Sequence, residues 1–230
     1  MQIDPATLRG FALFRGLDDA VMTRILARAA IRRVARDEAV YEQGAPAERF
    51  YVLLEGRLMV SQVTVDGRQV IVRVVHPGDL FGFAKALRRS DYPGTPRAVV
   101  DSRVLGWPMA EWDAVVLTHP QLAVTAMQTI GQRLDEAHTR LREMSTQEVE
   151  RRVAHTVLRL IDAAGRKVAD GVAIDFPISR QDIAEMSGTT LHTVSRILSA
   201  WDERGLVICG RQKLTIRDRN GLEQVAEPER

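Results

Sequence analysis

The side chains best placed for recognition chemistry lie on one face of a predicted helix within residues 187–206, SGTTLHTVSRILSAWDERGL. Apolar residues recur there at i, i+3, i+4 and i+7, and polar residues recur with the same spacing on the opposite side. The apolar set is Val194, Ile197, Leu198 and Trp201, and the polar set is His192, Ser195, Arg196 and Ser199. An arginine in such a polar face can donate two parallel hydrogen bonds to guanine O6 and N7, the commonest specific contact in the DNA major groove. The pattern therefore predicts one buried face and one face that reads base edges.

The elements that must position this face are a preceding helix, a tight turn and a following pair of strands. Capping and turn residues mark their ends, and these are Ser179 with Asp182, the turn at residues 187–189, Thr190 and Gly205. Two short strands then follow, LVICG and KLTIRD, with residues 210–212 at their tip. This order is typical of a winged helix-turn-helix, whose second helix enters the major groove.

Groups that can donate hydrogen bonds to phosphate surround the second helix. They are Ser179, Gln181, Thr190, Thr193, Ser199 and Lys213. Each of these side chains alone is more often simply solvated, and helix-turn-helix shapes also occur in domains that bind no DNA. The set as a whole favours a DNA interface.

A long helix is predicted from Pro120 to about Thr146. Apolar residues spaced alternately three and four apart form an a/d seam along it, and they are Met127, Ile130, Leu134, Ala137, Leu141 and Met144. A helix packed on its own domain usually carries a wider apolar stripe. The narrow seam therefore predicts a parallel two-stranded coil and a homodimer. The alternative is a helix that lies along its own β domain.

The first half of the chain is predicted to be antiparallel β structure. A short helix capped by Asp18 precedes it, and from about Val34 to Trp112 the apolar period is mostly two. Turns with a residue at positive φ are predicted at Gly44, Gly56, Asp66-Gly67 and Pro77-Gly78. The spacing indicates a compact barrel or sandwich.

The order of glycines and apolar residues in YEQGAPAERFYVLLEGRLMV and DGRQVIVRVVHPGDLFG resembles the cyclic-nucleotide-binding β-roll. Together with the helix at residues 187–206, it resembles the CRP/FNR family of transcription regulators. The resemblance implies an α+β fold with a β-roll effector domain (1–118), a dimerisation helix (119–145) and a winged helix-turn-helix DNA-binding domain (146–230). It also implies a homodimer on a palindromic duplex and RNA polymerase as a partner.

In that family, the positions matching Leu191 and His192 are base readers, so the resemblance implies base contacts from Leu191, His192, Ser195 and Arg196. The cyclic-AMP receptor has arginine and then glutamate at the first two positions, and this chain departs from both. Histidine can donate or accept, and leucine offers only apolar contact. We expect the guanine read by Arg196 to be kept and the flanking positions to be read differently. The alternative for His192 is a phosphate contact.

The effector pocket implied by the resemblance comprises Gly82, Phe83, Ala84, Arg97, Ala98, Ala137 and His138. In family members that bind cyclic nucleotides, a glutamate holds the ribose and an arginine holds the phosphate. Phe83 stands at the first of these positions, Tyr92-Pro93 stands near the second, and Arg97 is displaced. A buried phosphodiester without its arginine would be a costly isolated charge. These departures disfavour cyclic AMP.

Other effectors differ in how well the sequence supports them. The chain contains one cysteine, Cys209, which excludes a cysteine-ligated iron–sulfur cluster. Haem stays open through His138 beside the seam and His76 in the VVHPGD turn. Regulation through protein amount alone, without a small ligand, is also open.

Composition sets only broad bounds on function. The net charge of +2 and the sequence pI near 9 favour an anionic partner only weakly. No signal peptide and no apolar stretch of the ~20 residues that span a bilayer are evident, so we expect a cytoplasmic protein. Neither a phosphate-binding Gly-Lys-Ser/Thr loop, a nucleophile elbow nor paired metal-ligand histidines occur, which disfavours an enzyme. The competing function is a cyclic-nucleotide-type regulatory module without DNA binding.

Overall fold

The computed structural model describes residues 8–227, apart from the side chains of Val115 and Thr118. Within it the chain forms two compact units. The first comprises the residues up to Arg68 and Val72–Asp135, and the second comprises Gln69–Ile71 and the chain from Glu136 onward.

In the first unit a short 3-10 helix, Ala12–Phe14, precedes helix α1, Asp19–Ala27. The predicted cap at Asp18 is confirmed, because its Oδ1 accepts a hydrogen bond of 2.8 Å from the backbone N–H of Val21. A side-chain acceptor at this position satisfies one of the backbone donors that the first helical turn leaves open.

The predicted antiparallel β structure is also confirmed. Its strands are β1 (Ala30–Val34), β2 (Arg49–Val63), β3 (Gln69–Val75), β4 (Leu80–Phe81) and β5 (Thr95–Pro108). Their order in the sheet is β1-β5-β2-β3, and β4 pairs with β2. The four predicted turn glycines, Gly44, Gly56, Gly67 and Gly78, all have positive φ.

Glycine is required most strictly at Gly56, inside strand β2. The pairing of β2 with β5 shifts register there, between Leu53 and Leu58. A Cβ atom on Gly56 would lie 2.2 Å from Ser102 Oγ, and the residue has φ of +91°. The bulge that bends the two longest strands into a roll therefore depends on a residue without a side chain.

Two apolar clusters form the core of the first unit. One contains Trp107, whose indole N–H donates a 2.8 Å hydrogen bond to the carbonyl of Ile25 and so ties β5 to α1. Leu122 and Ala126 join this cluster from the long helix. The other cluster fills the roll around Tyr51, Leu58 and Val104.

The long helix, α3, spans Pro120–Thr146, as the sequence predicts, and a short helix α2 (Glu111–Thr118) precedes it. Leu122 and Ala126 on α3 are buried, whereas the predicted seam is exposed. Its large residues have exposed fractions from 40% at Ile130 to 63% at Met127. The large seam residues are therefore open to water on α3, although Ile130 also lines a cavity of the first unit.

The second unit contains the end of α3 and all later elements. They are α4 (Val149–Ala164), β6 (Gly165–Val168), β7 (Gly171–Ile174), α5 (Arg180–Ser187), α6 (Leu191–Glu203), β8 (Val207–Gly210), β9 (Lys213–Ile216) and α7 (Arg219–Ala226). The four strands form one sheet in the order β6-β7-β9-β8. The winged helix-turn-helix is therefore confirmed, whereas the β6–β7 hairpin and helices α2 and α7 were not predicted.

Candidate nucleic-acid interface and effector cavity

A reciprocal capping box starts helix α5. The backbone N–H of Asp182 donates to Ser179 Oγ at 3.1 Å, and the backbone N–H of Ser179 donates to Asp182 Oδ2 at 2.7 Å. The Ser179 hydroxyl also lies 2.7 Å from that carboxylate oxygen, to which it donates. A contact from this hydroxyl to phosphate would therefore require it to leave Asp182.

The turn between the two helices depends on Gly188. This residue has φ of +64°, and a Cβ atom on it would lie 3.0 Å from Met144 Cε. Arg152 secures the same turn, because its Nε donates to the carbonyl of Ser187 at 3.2 Å and its Nη1 donates to the carbonyl of Gln147 at 2.9 Å. The turn between α5 and α6 is thus held to α4.

Helix α6 presents the two faces that the sequence predicts. Thr190 caps it, with Oγ1 accepting from the backbone N–H of Thr193 at 3.2 Å. The apolar stripe is buried and consists of Val194, Ile197, Leu198 and Trp201. The indole N–H of Trp201 donates to Glu150 Oε1 at 2.8 Å, which links α6 to α4.

The four predicted base-contact residues lie in the first two turns of α6. Leu191, His192 and Arg196 are exposed and Ser195 is half-buried. Leu191 has an exposed fraction of 46%, although it is apolar. Water contact is unfavourable for such a side chain, whereas a thymine methyl group in the major groove is a suitable apolar partner.

The predicted phosphate-contact residues differ in how accessible their donors are. Thr190, Ser199 and Lys213 are exposed and Thr193 is half-buried. Gln181 is exposed, but its amide donates to Glu185 Oε1 at 2.8 Å.

Sequence reasoning missed two exposed cations, Arg180 at the start of α5 and Arg211 at the tip of the wing. The sequence marks both positions, because Arg180 follows the N-cap residue Ser179 and Arg211 lies in the turn between β8 and β9.

The wing, formed by β8 and β9, lies beside the start of α5. Strands β8 and β9 pair antiparallel, with Gly210 opposite Lys213 at the tip. The backbone N–H of Ile178, just before α5, donates to the carbonyl of Gln212 at 3.1 Å. This bond holds the wing tip next to the residues that precede α5.

The first unit has a cavity of about 260 Å³, partly open to solvent, between the roll and α3. Gly82, Phe83 and Ala84 line it, as the sequence predicts. The other four predicted pocket residues, Arg97, Ala98, Ala137 and His138, are not among the lining residues.

Strand alternation explains why Arg97 and Ala98 do not line this cavity, in contrast to the predicted pocket. Arg97 points outward, where its Nη1 donates to the carbonyl of Asp37 at 2.8 Å, and Ala98 points into the apolar core. Ala137 and His138 are exposed farther along α3.

Phe83 and Tyr92, which stand at or near the positions of the glutamate and arginine in family members that bind cyclic nucleotides, pack against other aromatic side chains. The Phe83 ring lies 4.3 Å from the ring of Trp112, measured between centroids. Tyr92 is 3% exposed, stacks on Tyr41 at 3.6 Å and donates from its hydroxyl to the carbonyl of Arg49 at 2.7 Å. Burial raises the pKa of Tyr92, so this hydroxyl stays protonated. Neither side chain offers the carboxylate or the guanidinium that a cyclic nucleotide needs.

The cavity instead contains two arginines that sequence reasoning did not select. Arg73 on β3 and Arg133 on α3 line it, and both contact the carboxylate of Asp79. The Arg73 Nη2–Asp79 Oδ2 distance is 2.9 Å, and Arg133 Nη2 lies 3.1 Å from each carboxylate oxygen. No motif marks these positions, because they meet only when the strand and the helix pack together.

The two histidines considered as haem ligands do not line this cavity. His76 is half-buried, and its Nδ1 lies 2.6 Å from Arg57 Nη1. Burial, and then the charge of Arg57, lowers the pKa of His76, so the imidazole is neutral and accepts from the guanidinium. Among the described residues, no group of three or more histidine, cysteine, aspartate or glutamate side chains could hold a metal ion.

Comparisons with known proteins match both units. The cyclic nucleotide-binding domain family matches residues 31–119, and the Crp-like helix-turn-helix domain family matches residues 151–225. The transcriptional regulator LdrP of Thermus thermophilus is 30% identical over 196 residues, which cover 85% of this chain and 96% of LdrP. The global nitrogen regulator of Synechocystis is 26% identical over 215 residues, 93% of each chain.

A solved structure extends this likeness to three dimensions. FixK2 from Bradyrhizobium japonicum superposes with a TM-score of 0.76 at 25% identity, covering 88% of this chain and 99% of FixK2. None of the helices in the described part of the chain has the length and apolar character needed to cross a bilayer.

Proposed function

Because the chain belongs to the CRP/FNR family of transcription regulators, we propose that it works as a homodimer that binds a palindromic DNA site and responds to an effector in the β-roll cavity. The observation that carries the DNA-binding part is helix α6. Its apolar stripe is buried, and Leu191, His192 and Arg196 are exposed at its N-terminal end.

The exposed seam of α3 supports the homodimer. Leu134, Leu141 and Met127 are each more than half exposed to water, in a spacing that matches the a/d positions of a coiled coil. Burying such side chains contributes about 25 cal/mol per Å² of apolar surface. A second copy of the helix, packed in parallel, would cover the seam and place two recognition helices symmetrically.

Two symmetric copies of α6 dictate the form of the DNA site. We expect an inverted repeat with half-sites about one helical turn apart, roughly 34 Å centre to centre. Arg196 binds a guanine in each half-site, and Leu191 and His192 set the flanking preference in place of the arginine and glutamate of the cyclic-AMP receptor. We also propose that RNA polymerase is a partner and that the protein is located in the cytoplasm, where the DNA lies.

Binding-site selection from random duplexes tests this function. Full-length protein is expected to select an inverted repeat with a guanine at the same position in both halves. Fluorescence anisotropy then compares the selected duplex with a version in which both guanines are replaced. Selection of no common sequence, or equal binding of both duplexes, would contradict sequence-specific DNA binding and favour a regulatory module without it.

A further inference from the structure

The cavity of the first unit is mostly apolar, with its charge concentrated at one place. Its apolar lining includes Val60, Val72, Leu80, Phe81, Phe83 and Leu87. The volume of about 260 Å³ lies just below the range of ~300–1,000 Å³ that holds drug-sized ligands. Such a site favours a small ligand whose body is largely hydrocarbon.

The charge in the cavity wall is positive. The charged side chains that line the cavity are the two cations Arg73 and Arg133, and both contact the carboxylate of Asp79. The exposed fractions of these side chains are 19%, 31% and 20% respectively, so solvent screens them only in part. Neither aspartate nor glutamate is among the described residues that line the cavity.

We propose that the effector is a small apolar carboxylate, whose hydrocarbon body fills the cavity and whose carboxylate binds Arg133 and Arg73 beside Asp79. This inference rests on the proposed function, because it names the ligand class of the proposed effector site. A carboxylate matches the guanidinium group in shape and charge, and pairing offsets the cost of removing it from water. Cyclic AMP fits less well, because few polar side chains in the lining are available for its base and ribose.

The same contacts connect ligand binding in the cavity to helix α3. Asp79 follows the turn at Gly78 in the roll, whereas Arg133 lies on α3 next to the seam residue Leu134. A ligand carboxylate competes with Asp79 for Arg133. Binding therefore changes the link between the roll and the helix that carries the proposed dimer seam.

Titration of the full-length protein with matched probes tests the ligand class. The probes are 3-phenylpropionate and octanoate, the neutral 3-phenylpropanamide, inorganic phosphate and cyclic AMP. Calorimetry measures affinity, and a change in tryptophan fluorescence that is lost in Trp112→Phe reports occupancy of the cavity, because the Trp112 ring contacts Phe83. We expect the two carboxylates to bind at least about tenfold more tightly than the amide, because the amide lacks the charge-assisted bonds.

Arginine variants test the location of the site. Arg133→Gln and Arg73→Gln are each expected to weaken carboxylate binding by about tenfold to a hundredfold and to leave amide binding nearly unchanged. Arg97→Gln is the matched control, because Arg97 is a cation of the same unit whose side chain lies outside the cavity. Thermal melting of each variant identifies any that lose the fold, and the two cavity variants serve as independent tests.

Several outcomes would overturn the inference. They are equal binding of carboxylate and amide, equal loss in Arg97→Gln and Arg133→Gln, tighter binding of cyclic AMP than of either carboxylate, and no carboxylate binding at millimolar concentration. DNA binding is measured separately on the selected duplex. If the duplex binds and carboxylates do not, only the ligand class is wrong, whereas loss of all specific duplex binding overturns the proposed function itself.

Discussion

The buried indole of Trp201 on α6 donates a 2.8 Å hydrogen bond to Glu150 on α4. Trp201 is fully buried, whereas Glu150 reaches the bond from a partly exposed position. Helix α6 is thus held to α4 by a hydrogen bond, in addition to the burial of its apolar stripe.

Trp201→Phe is expected to lower the free energy of unfolding of the second unit by about 1–3 kcal/mol. The change removes a hydrogen bond to a charged group and leaves unfilled volume. Urea denaturation followed by circular dichroism measures this loss. Glu150→Gln is the control, because its amide oxygen can still accept the hydrogen bond from the indole. A loss of stability in Glu150→Gln equal to that in Trp201→Phe would contradict the role given to this hydrogen bond.

Leu134→Lys is expected to give monomers that bind DNA poorly. Two ammonium groups facing each other in the seam would repel and would have to be desolvated. Light scattering measures the molecular mass in solution. Gln132→Lys, which adds the same charge outside the seam, should remain dimeric, and a dimeric Leu134→Lys protein would show that another surface forms the interface.

Arg196→Ala is expected to remove about 1–3 kcal/mol of base discrimination per half-site, and up to twice that on a symmetric site. The loss should be confined to duplexes that carry the guanine, because the truncated side chain no longer bonds to O6 and N7. Repeating the binding-site selection with this variant measures the change. Recovery of the same guanine would mean that α6 does not lie in the groove as proposed.

Lys213→Ala is expected to weaken binding to all duplexes alike. Its ammonium group lies on the wing, where binding to a phosphate releases a counterion without reading a base. The slope of log affinity against log salt should therefore fall in magnitude by about one unit for each phosphate that the variant no longer neutralises. A change in sequence preference with an unchanged salt slope would instead indicate a base contact.

The stability of the first unit is expected to fall as the pH drops below about 6.5. Burial, followed by Arg57, lowers the pKa of His76 in the folded state, so the unfolded chain takes up a proton first. Stability therefore rises with pH between the folded pKa and the unfolded value near 6.5. Chemical denaturation at pH 5.5 and 7.5 measures the difference, and His76→Gln should reduce it. An unchanged difference in His76→Gln would assign the pH dependence to other groups.

The sequence alone determined those features that are encoded by residues near one another in the chain. The caps at Asp18, Ser179 and Thr190 depend on bonds that span three residues, and the two faces of α6 follow from helical periodicity. The turn glycines could be recognised for the same reason, because positive φ is a local requirement. The β6–β7 hairpin was missed even though Asp170-Gly171 is a turn signal, because strand β6 has one apolar residue, Val168, and so shows no alternation.

Only the tertiary structure decided what the cavity contains. Arg97 lies near the expected pocket in sequence, but strand alternation turns it outward to Asp37. Arg73 and Arg133 are far apart in the sequence and come together on Asp79 because α3 packs against the roll through Leu122 and Ala126. Periodicity predicts which face of an element is buried, but it does not say which other element covers that face. The chemistry of the cavity therefore depended on long-range packing, whereas the recognition helix could be found from its own residues.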